Sequence, residues 1–210
     1  MLPPKQIAGF LLRLVLLYGI LAVPWPAVQR AYSAAYAGAA NALFGSFGSD
    51  GLVQFQRSPK SARPADLELV IRKRGAPQVG RAPHDPILTG YLAMVEVIAL
   101  ILATPVSWSR RCKAMMWGML LVHAYIWLRL EITLLHWFSG DSPLALYKPG
   151  PFWSKLLASA FELISVSPTS TFVVPIFIWI LVSFRRSDFE GWREAARTST
   201  RTTEELSRRA

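Results

Sequence analysis

At 210 residues, with a net charge of +10, 52% hydrophobic residues, eight tryptophans and a positive mean hydropathy, the chain does not have the composition of a soluble domain. Its apolar residues come in blocks rather than at helix or strand period, which sets the class as integral membrane protein. A single cysteine, Cys112, excludes an intrachain disulfide and any cysteine-based metal cluster. The basic residues collect beside apolar blocks and in the tail, where anionic lipid and topology account for them, so membrane lipid rather than nucleic acid is the expected partner.

Residues 1–6 form a short polar start with Lys5, and 7–28, IAGFLLRLVLLYGILAVPWPAV, form the first apolar block. A span needs roughly 20 mostly apolar residues, and Arg13, near the inner end, can snorkel to the cytoplasmic surface. The small residues from Ala39 to Ala42 lie too far from this block for signal-peptide cleavage, so 1–28 is expected to be a retained anchor. Residues 29–86 leave the bilayer. Tyr32, Tyr36, Leu43 and Phe44 share a face of an interfacial helix expected over 31–47 and ended by Gly45, Gly48 and Gly51. Alternation at 53–56 and 67–72 predicts a small outward β-hairpin joined through 59–64. Arg72-Lys73-Arg74 reads as a solvated strand end or a lipid-headgroup contact.

The second span is expected at 87–108, interrupted by Glu96 and, near its end, Pro105. Residues 109–113, SRRCK, predict a tight basic turn. The third span, 113–138, carries His123, Arg129, Glu131 and His136. After a Gly/Pro-rich loop at 139–151, apolar positions 153, 156, 157, 160, 161 and 164 oppose Ser154, Lys155, Ser159 and Glu162, the pattern of a helix lying along the surface over 152–166. A short fourth span at 169–184 contains Pro175, and 185–210 is a charged tail. The expected fold is therefore mostly α: a polytopic bundle of four transmembrane helices with interfacial helices and a small hairpin, its membrane core at 87–184. The basic 109–113 turn and Arg185-Arg186 put both termini in the cytoplasm of an inner (plasma) membrane, with 29–86 and 139–168 outside. The first outer segment is itself basic, eight Lys or Arg against four Asp or Glu, but long loops cross largely regardless of charge.

A charged side chain at mid-bilayer costs on the order of 3 kcal/mol, so the ionisable residues of these spans should be buried, paired and functional. Glu96 and Arg129 each lie nine residues from the outer end of their spans, about 13 Å deep by helical rise. Matched depth predicts an intramembrane ion pair between them. Arg129, Thr133 and His136 share a face, whereas Glu131 is rotated about 200° from Arg129 and needs another partner, water or the surface. His123 belongs to a further contact. The rival to a structural pair is an outward pocket with Arg129 as an oxyanion donor and His136 as a base. Cys112 lies well over about 20 Å from Arg129 along the helix and reads as an inert turn residue. His84, Asp85 and His136 are metal-ligand types, but no HxxxH or HExxH spacing supports a site, so no metal or cofactor is expected.

A small outer strand pair, then TGYLAMVEVIALILATP, then the basic RRCKAMMWG, then a helix with an Arg near its outer end: this order resembles the exosortase/archaeosortase family of membrane-embedded cysteine transpeptidases. The family places a Cys-Ser-Gly-like motif at the outer start of one span, an Arg late in the next and a His before the last. Arg129 matches the Arg. The cysteine's place falls at Ile87-Leu88-Thr89-Gly90, where Gly90 is present and no cysteine is, and no histidine follows Phe138. The resemblance covers roughly residues 60–140. It implies the family's fold without its thiol chemistry, hence a non-catalytic partner or assembly subunit of an envelope or export complex, bound to other membrane protein subunits. The alternatives are a membrane-embedded transpeptidase or hydrolase with Thr89 or water as nucleophile beside Arg129, and a small transporter or channel subunit with Glu96 and Arg129 on its path.

Overall fold

The structure, a computed structural model, describes residues 4–23, 26–58, 66–140 and 143–184. The expected 59–64 connection and the 185–210 tail, including Arg185-Arg186, lie outside the described residues. The fold is mostly helical and carries one small antiparallel sheet with strand order β1-β2-β3-β4. Its helices are α1 (Pro4–Ala22), α2 (Pro26–Phe44), α3 (Leu92–Ala103), α4 (Trp108–Trp137), α5 (Pro151–Ala160) and α6 (Pro168–Ser183), with π-helical stretches at Ile87–Tyr91 and Phe161–Val166.

Helix α3 is the hub of the bundle and packs against α1, α4 and α6. Its Ala93, Val97, Ala99, Ile101 and Ala103 are wholly enclosed. Small residues at such contacts let helix backbones come close. Gly118 of α4 does the same, since a Cβ there would lie 2.8 Å from Ile101 Cδ1 and 3.0 Å from Val97 Cγ1.

The 109–113 segment is not a turn. It is the first part of α4, and the connection is 104–107, where Pro105 cannot continue α3. The second span accordingly stops at Ala103, short of the expected 108. The basic side chains close neighbouring helix ends instead: Arg110 donates to the Ser183 carbonyl at 3.1 Å and Arg111 to the Thr104 carbonyl at 3.1 Å. A guanidinium at a helix C-terminus satisfies orphan carbonyls and opposes the dipole.

On the other side, α2 begins at Pro26, earlier than position 31, because proline is well suited to a first helical position. The first span is broken accordingly: Ile7–Ala22 and Ala27–Phe44 stand at 77° to each other. The hairpin is part of a larger sheet: β1 (Ser46–Phe47), β2 (Gly51–Arg57), β3 (Leu67–Lys73) and β4 (Val79–His84). Val53, Phe55, Leu67, Leu69 and Ile71 turn inward, while Leu52 and Gln54 face out. Strand β4 holds Gly80 and Pro83 and shows no alternation in sequence. It pairs with β3 as an edge strand, where a missing N–H is tolerated. Asn41 of α2 locks helix to sheet, accepting from Phe55 N at 2.7 Å and donating to Phe55 O at 3.0 Å. At the C-terminal end of α4, Phe47 stacks on Phe138 at 5.3 Å, and Lys73 donates to the Ala145 carbonyl at 2.9 Å.

Among the described residues α4 alone is long and apolar enough to cross a bilayer, and up to three spans result if each bent pair, Ile7–Ala22 with Ala27–Phe44 and Pro151–Val166 with Thr169–Ser183, counts as one. Ile87–Ala103 is a shorter apolar helix. Four transmembrane helices are thus more than helix length and composition alone establish. Large apolar side chains nevertheless stand exposed along α1, α4, α5 and α6, among them Leu12, Val15, Trp117, Phe152, Trp153, Phe177 and Leu181. That is far more than a soluble monomer presents.

Candidate functional site

Arg129 projects from α4 into the corner between the π-helical Phe161–Val166 and α6, and only 8% of it is exposed. One terminal nitrogen donates to Thr171 Oγ1 at 2.8 Å and the other to the Ser165 carbonyl at 2.8 Å. Ser165 and Thr171 flank an 84° bend, so the guanidinium bridges it. Its backbone carbonyl accepts from Thr133 Oγ1 at 2.9 Å and from Ser165 Oγ at 3.2 Å.

The Glu96–Arg129 pair does not form. Glu96 has one carboxylate oxygen enclosed with no hydrogen-bond partner. Equal distance along the two helices does not make a pair, because α4 turns Arg129 toward the corner between the Phe161–Val166 stretch and α6. Neutral oxygens suffice for a guanidinium whose planar fork offers five donors. Arg81 and Glu68 make a salt bridge on the sheet, at 3.1 Å.

The shared face of Arg129, Thr133 and His136 is real, and it meets the Phe161–Val166 stretch. His136 stacks on Phe161 with ring centroids 4.1 Å apart and planes 6° apart. Glu131 is exposed. His123 donates through Nδ1 to the Met119 carbonyl at 2.7 Å, in a groove of about 510 Å³ with Met116, Trp117 and Leu120. Cys112 is exposed near the start of α4. The set His84, Asp85 and His136 does not assemble; among the described residues no three His, Cys, Asp or Glu gather as metal ligands.

A second polar group lies where the sheet meets the helices. Asp85 Oδ1 accepts from Ile87 N at 2.9 Å and Leu88 N at 3.2 Å, satisfying orphan donors at the start of the π-helical Ile87–Tyr91. This capping fixes Thr89 beside His84, the last residue of β4. His84 Nε2 lies 3.0 Å from the Tyr36 hydroxyl and 3.3 Å from Thr89 Oγ1. Thr89 donates its proton to the Asp85 carbonyl at 2.8 Å. The His84 ring nitrogen, the Tyr36 hydroxyl and the Thr89 hydroxyl thus form one hydrogen-bonded group. Tyr36 stacks on His84 at 5.3 Å and on Trp127 of α4 at 5.4 Å. Gly90 makes room for the neighbouring Tyr32 of α2, whose hydroxyl a Cβ there would overlap.

Burial first, and then the charge of Arg129, hold His84 down at about 4, so it is neutral at pH 7. The Arg129 charge also reaches Tyr36, although no hydrogen bond joins the two polar groups among the described residues. Thr89 and Arg129, singled out from sequence, thus belong to one neighbourhood. Tyr36 and His84 complete it without having been expected there. The available signals were the place of Tyr36 on the α2 stripe and that of His84 directly before Asp85-Pro86.

A neutral imidazole beside a hydroxyl, with a guanidinium near, contains the parts of a nucleophile, a base and an anion donor. In this arrangement each part is already engaged: the hydroxyl proton with Asp85, the imidazole Nε2 with Tyr36, and two guanidinium donors with Ser165 and Thr171. No family model matches the chain, and no characterised protein or solved structure is detectably similar to it.

Proposed function

We propose that this chain is a multi-pass inner-membrane protein of four spans, a non-catalytic, exosortase-like partner or assembly subunit in an envelope or export complex. The observation that carries the reading is the internal satisfaction of the polar junction. Thr89, His84 and Tyr36 bond to one another and to the Asp85 carbonyl, and Arg129 to the Thr171 hydroxyl and the Ser165 carbonyl, which suits a joint holding the outer sheet on the bundle. The wide apolar surface of α1, α4, α5 and α6 supports lateral contact with lipid and with other membrane proteins. Native electrophoresis after extraction in a mild non-ionic detergent tests it. The expected result is a complex with a second membrane protein at fixed stoichiometry; a lone monomer at every detergent concentration contradicts it.

One contact favours a second reading, a hydrolase or transpeptidase: the 3.3 Å approach of Thr89 Oγ1 to His84 Nε2. An acylating β-lactone probe separates the two. Covalent labelling of Thr89 that disappears in Thr89→Val and in His84→Gln would establish the enzyme reading and remove the first.

A further inference from the structure

The sheet gives its apolar face to the common core through Val53, Phe55, Leu67, Leu69 and Ile71. Alternation should make the opposite face polar, and it does so at Gln54, Gln56, Glu68, Arg72 and Arg81. Leu52 and Val70 break the pattern. The register sets Leu52 directly across from Arg72, and Val70 between Gln54 and Arg81. Leu52, Gln54, Val70 and Arg72 line a hollow of about 390 Å³ that reaches the edge of β2 at Asn41 and Gly45. Small-ligand sites usually enclose roughly 300–1,000 Å³. Leu52, Gln54 and Arg72 are exposed, with Val70 covered at the base, so the hollow is open to an incoming molecule.

The two arginines of this face differ. Arg81 is held by Glu68 at 3.1 Å, and the same carboxylate oxygen accepts from Gln56 at 2.9 Å. Among the described residues no carboxylate pairs with Arg72. The Asn41 amide is bonded through both its groups to Phe55, which leaves Gln54 as the amide of the hollow able to meet a ligand.

We infer that this hollow binds a small carboxylate carrying an amide and a branched aliphatic group, the chemistry shared by a free N-acylated amino acid and the last residue of a peptide. Arg72 takes the carboxylate through its planar fork, and Gln54 bonds the amide. The aliphatic group covers Leu52 and Val70, the two apolar residues that alternation leaves unexplained. The inference needs neither a partner subunit nor a count of spans, so it stands apart from the assembly reading.

Isothermal titration calorimetry of the full chain in lipid nanodiscs tests it, with N-acetyl-leucine, its neutral analogue N-acetyl-leucinamide and acetyl-Gly-Gly-Leu as probes. N-acetyl-leucine should bind saturably and about tenfold more tightly than the amide. Arg72→Gln should abolish that preference. So should Leu52→Glu, which sets a carboxylate of the chain itself across from Arg72. Arg74→Gln changes a neighbouring charge outside the hollow and should keep the preference, with circular dichroism unchanged in all these variants. Tighter binding of acetyl-Gly-Gly-Leu than of N-acetyl-leucine assigns the site to a peptide's end, and the reverse to a free acyl amino acid. Equal or unsaturable binding of acid and amide would overturn the inference. A preference that survives in Arg72→Gln or Leu52→Glu, or that is lost in Arg74→Gln, would overturn it as well.

Discussion

Arg129 was conspicuous in the sequence because a guanidinium in an apolar run has to be accounted for. Its partners were not legible. Apolar blocks fix depth along a helix but not its rotation relative to a neighbour, and the acceptors that won are a backbone carbonyl and a hydroxyl more than thirty residues away. Arg129→Met should lower stability by about 2–4 kcal/mol, because it orphans the Ser165 carbonyl and the Thr171 hydroxyl. With no pair between them, Arg129→Met and Glu96→Gln should add within roughly 0.5 kcal/mol in the double variant. Thermal unfolding in detergent measures this, and a coupling well above that figure would restore the ion pair. His84 supplies a pH dependence at the same scale. Its folded value, about 4, is below the ordinary 6.5. The stability it contributes is full above pH 6.5 and is lost as pH falls through 4, a change of about 3 kcal/mol. Unfolding of wild type followed from pH 7 to 4 should show that loss, and His84→Gln should flatten it.

At the scale of elements, periodicity carried far. The amphipathic stripe at 152–166 became α5 and its π-helical continuation, and the alternation at 53–56 and 67–72 became the two central strands. What failed were elements made by tertiary context. Strand β4 carries Gly80 and Pro83 and holds only because β3 offers an edge, and the basic 109–113 run became helix because its arginines cap α3 and α6. Asn41 joins the two kinds of element, its amide bonded to both backbone groups of Phe55. Asn41→Leu leaves those groups unpaired and should cost about 1–3 kcal/mol. Hydrogen exchange should show faster exchange across β2 and β3, with α3 and α4 unchanged; uniform exchange across the molecule would mean that the sheet and bundle do not separate in this way.

At the scale of the molecule, a small sheet stands at the end of α4 where Phe47 meets Phe138, opposite the end where Arg110 and Arg111 close α3 and α6. Block hydrophobicity made legible the one helix among the described residues, α4, that is long and apolar enough to cross a bilayer. The number of spans was less so, because prolines at 24, 26, 105 and 168 divide apolar runs into pieces shorter than a bilayer is thick. The orientation we propose rests on charge in short segments, with the basic start of α4 inside and the sheet outside. Impermeant maleimide labelling in intact cells tests this most directly. Native Cys112 should react only after the membrane is permeabilised, whereas Arg72→Cys, made in a Cys112→Ser background, should react in intact cells. Labelling of Cys112 in intact cells with Arg72→Cys protected, or of both or neither before permeabilisation, would contradict a bundle that crosses the membrane beneath an outward sheet.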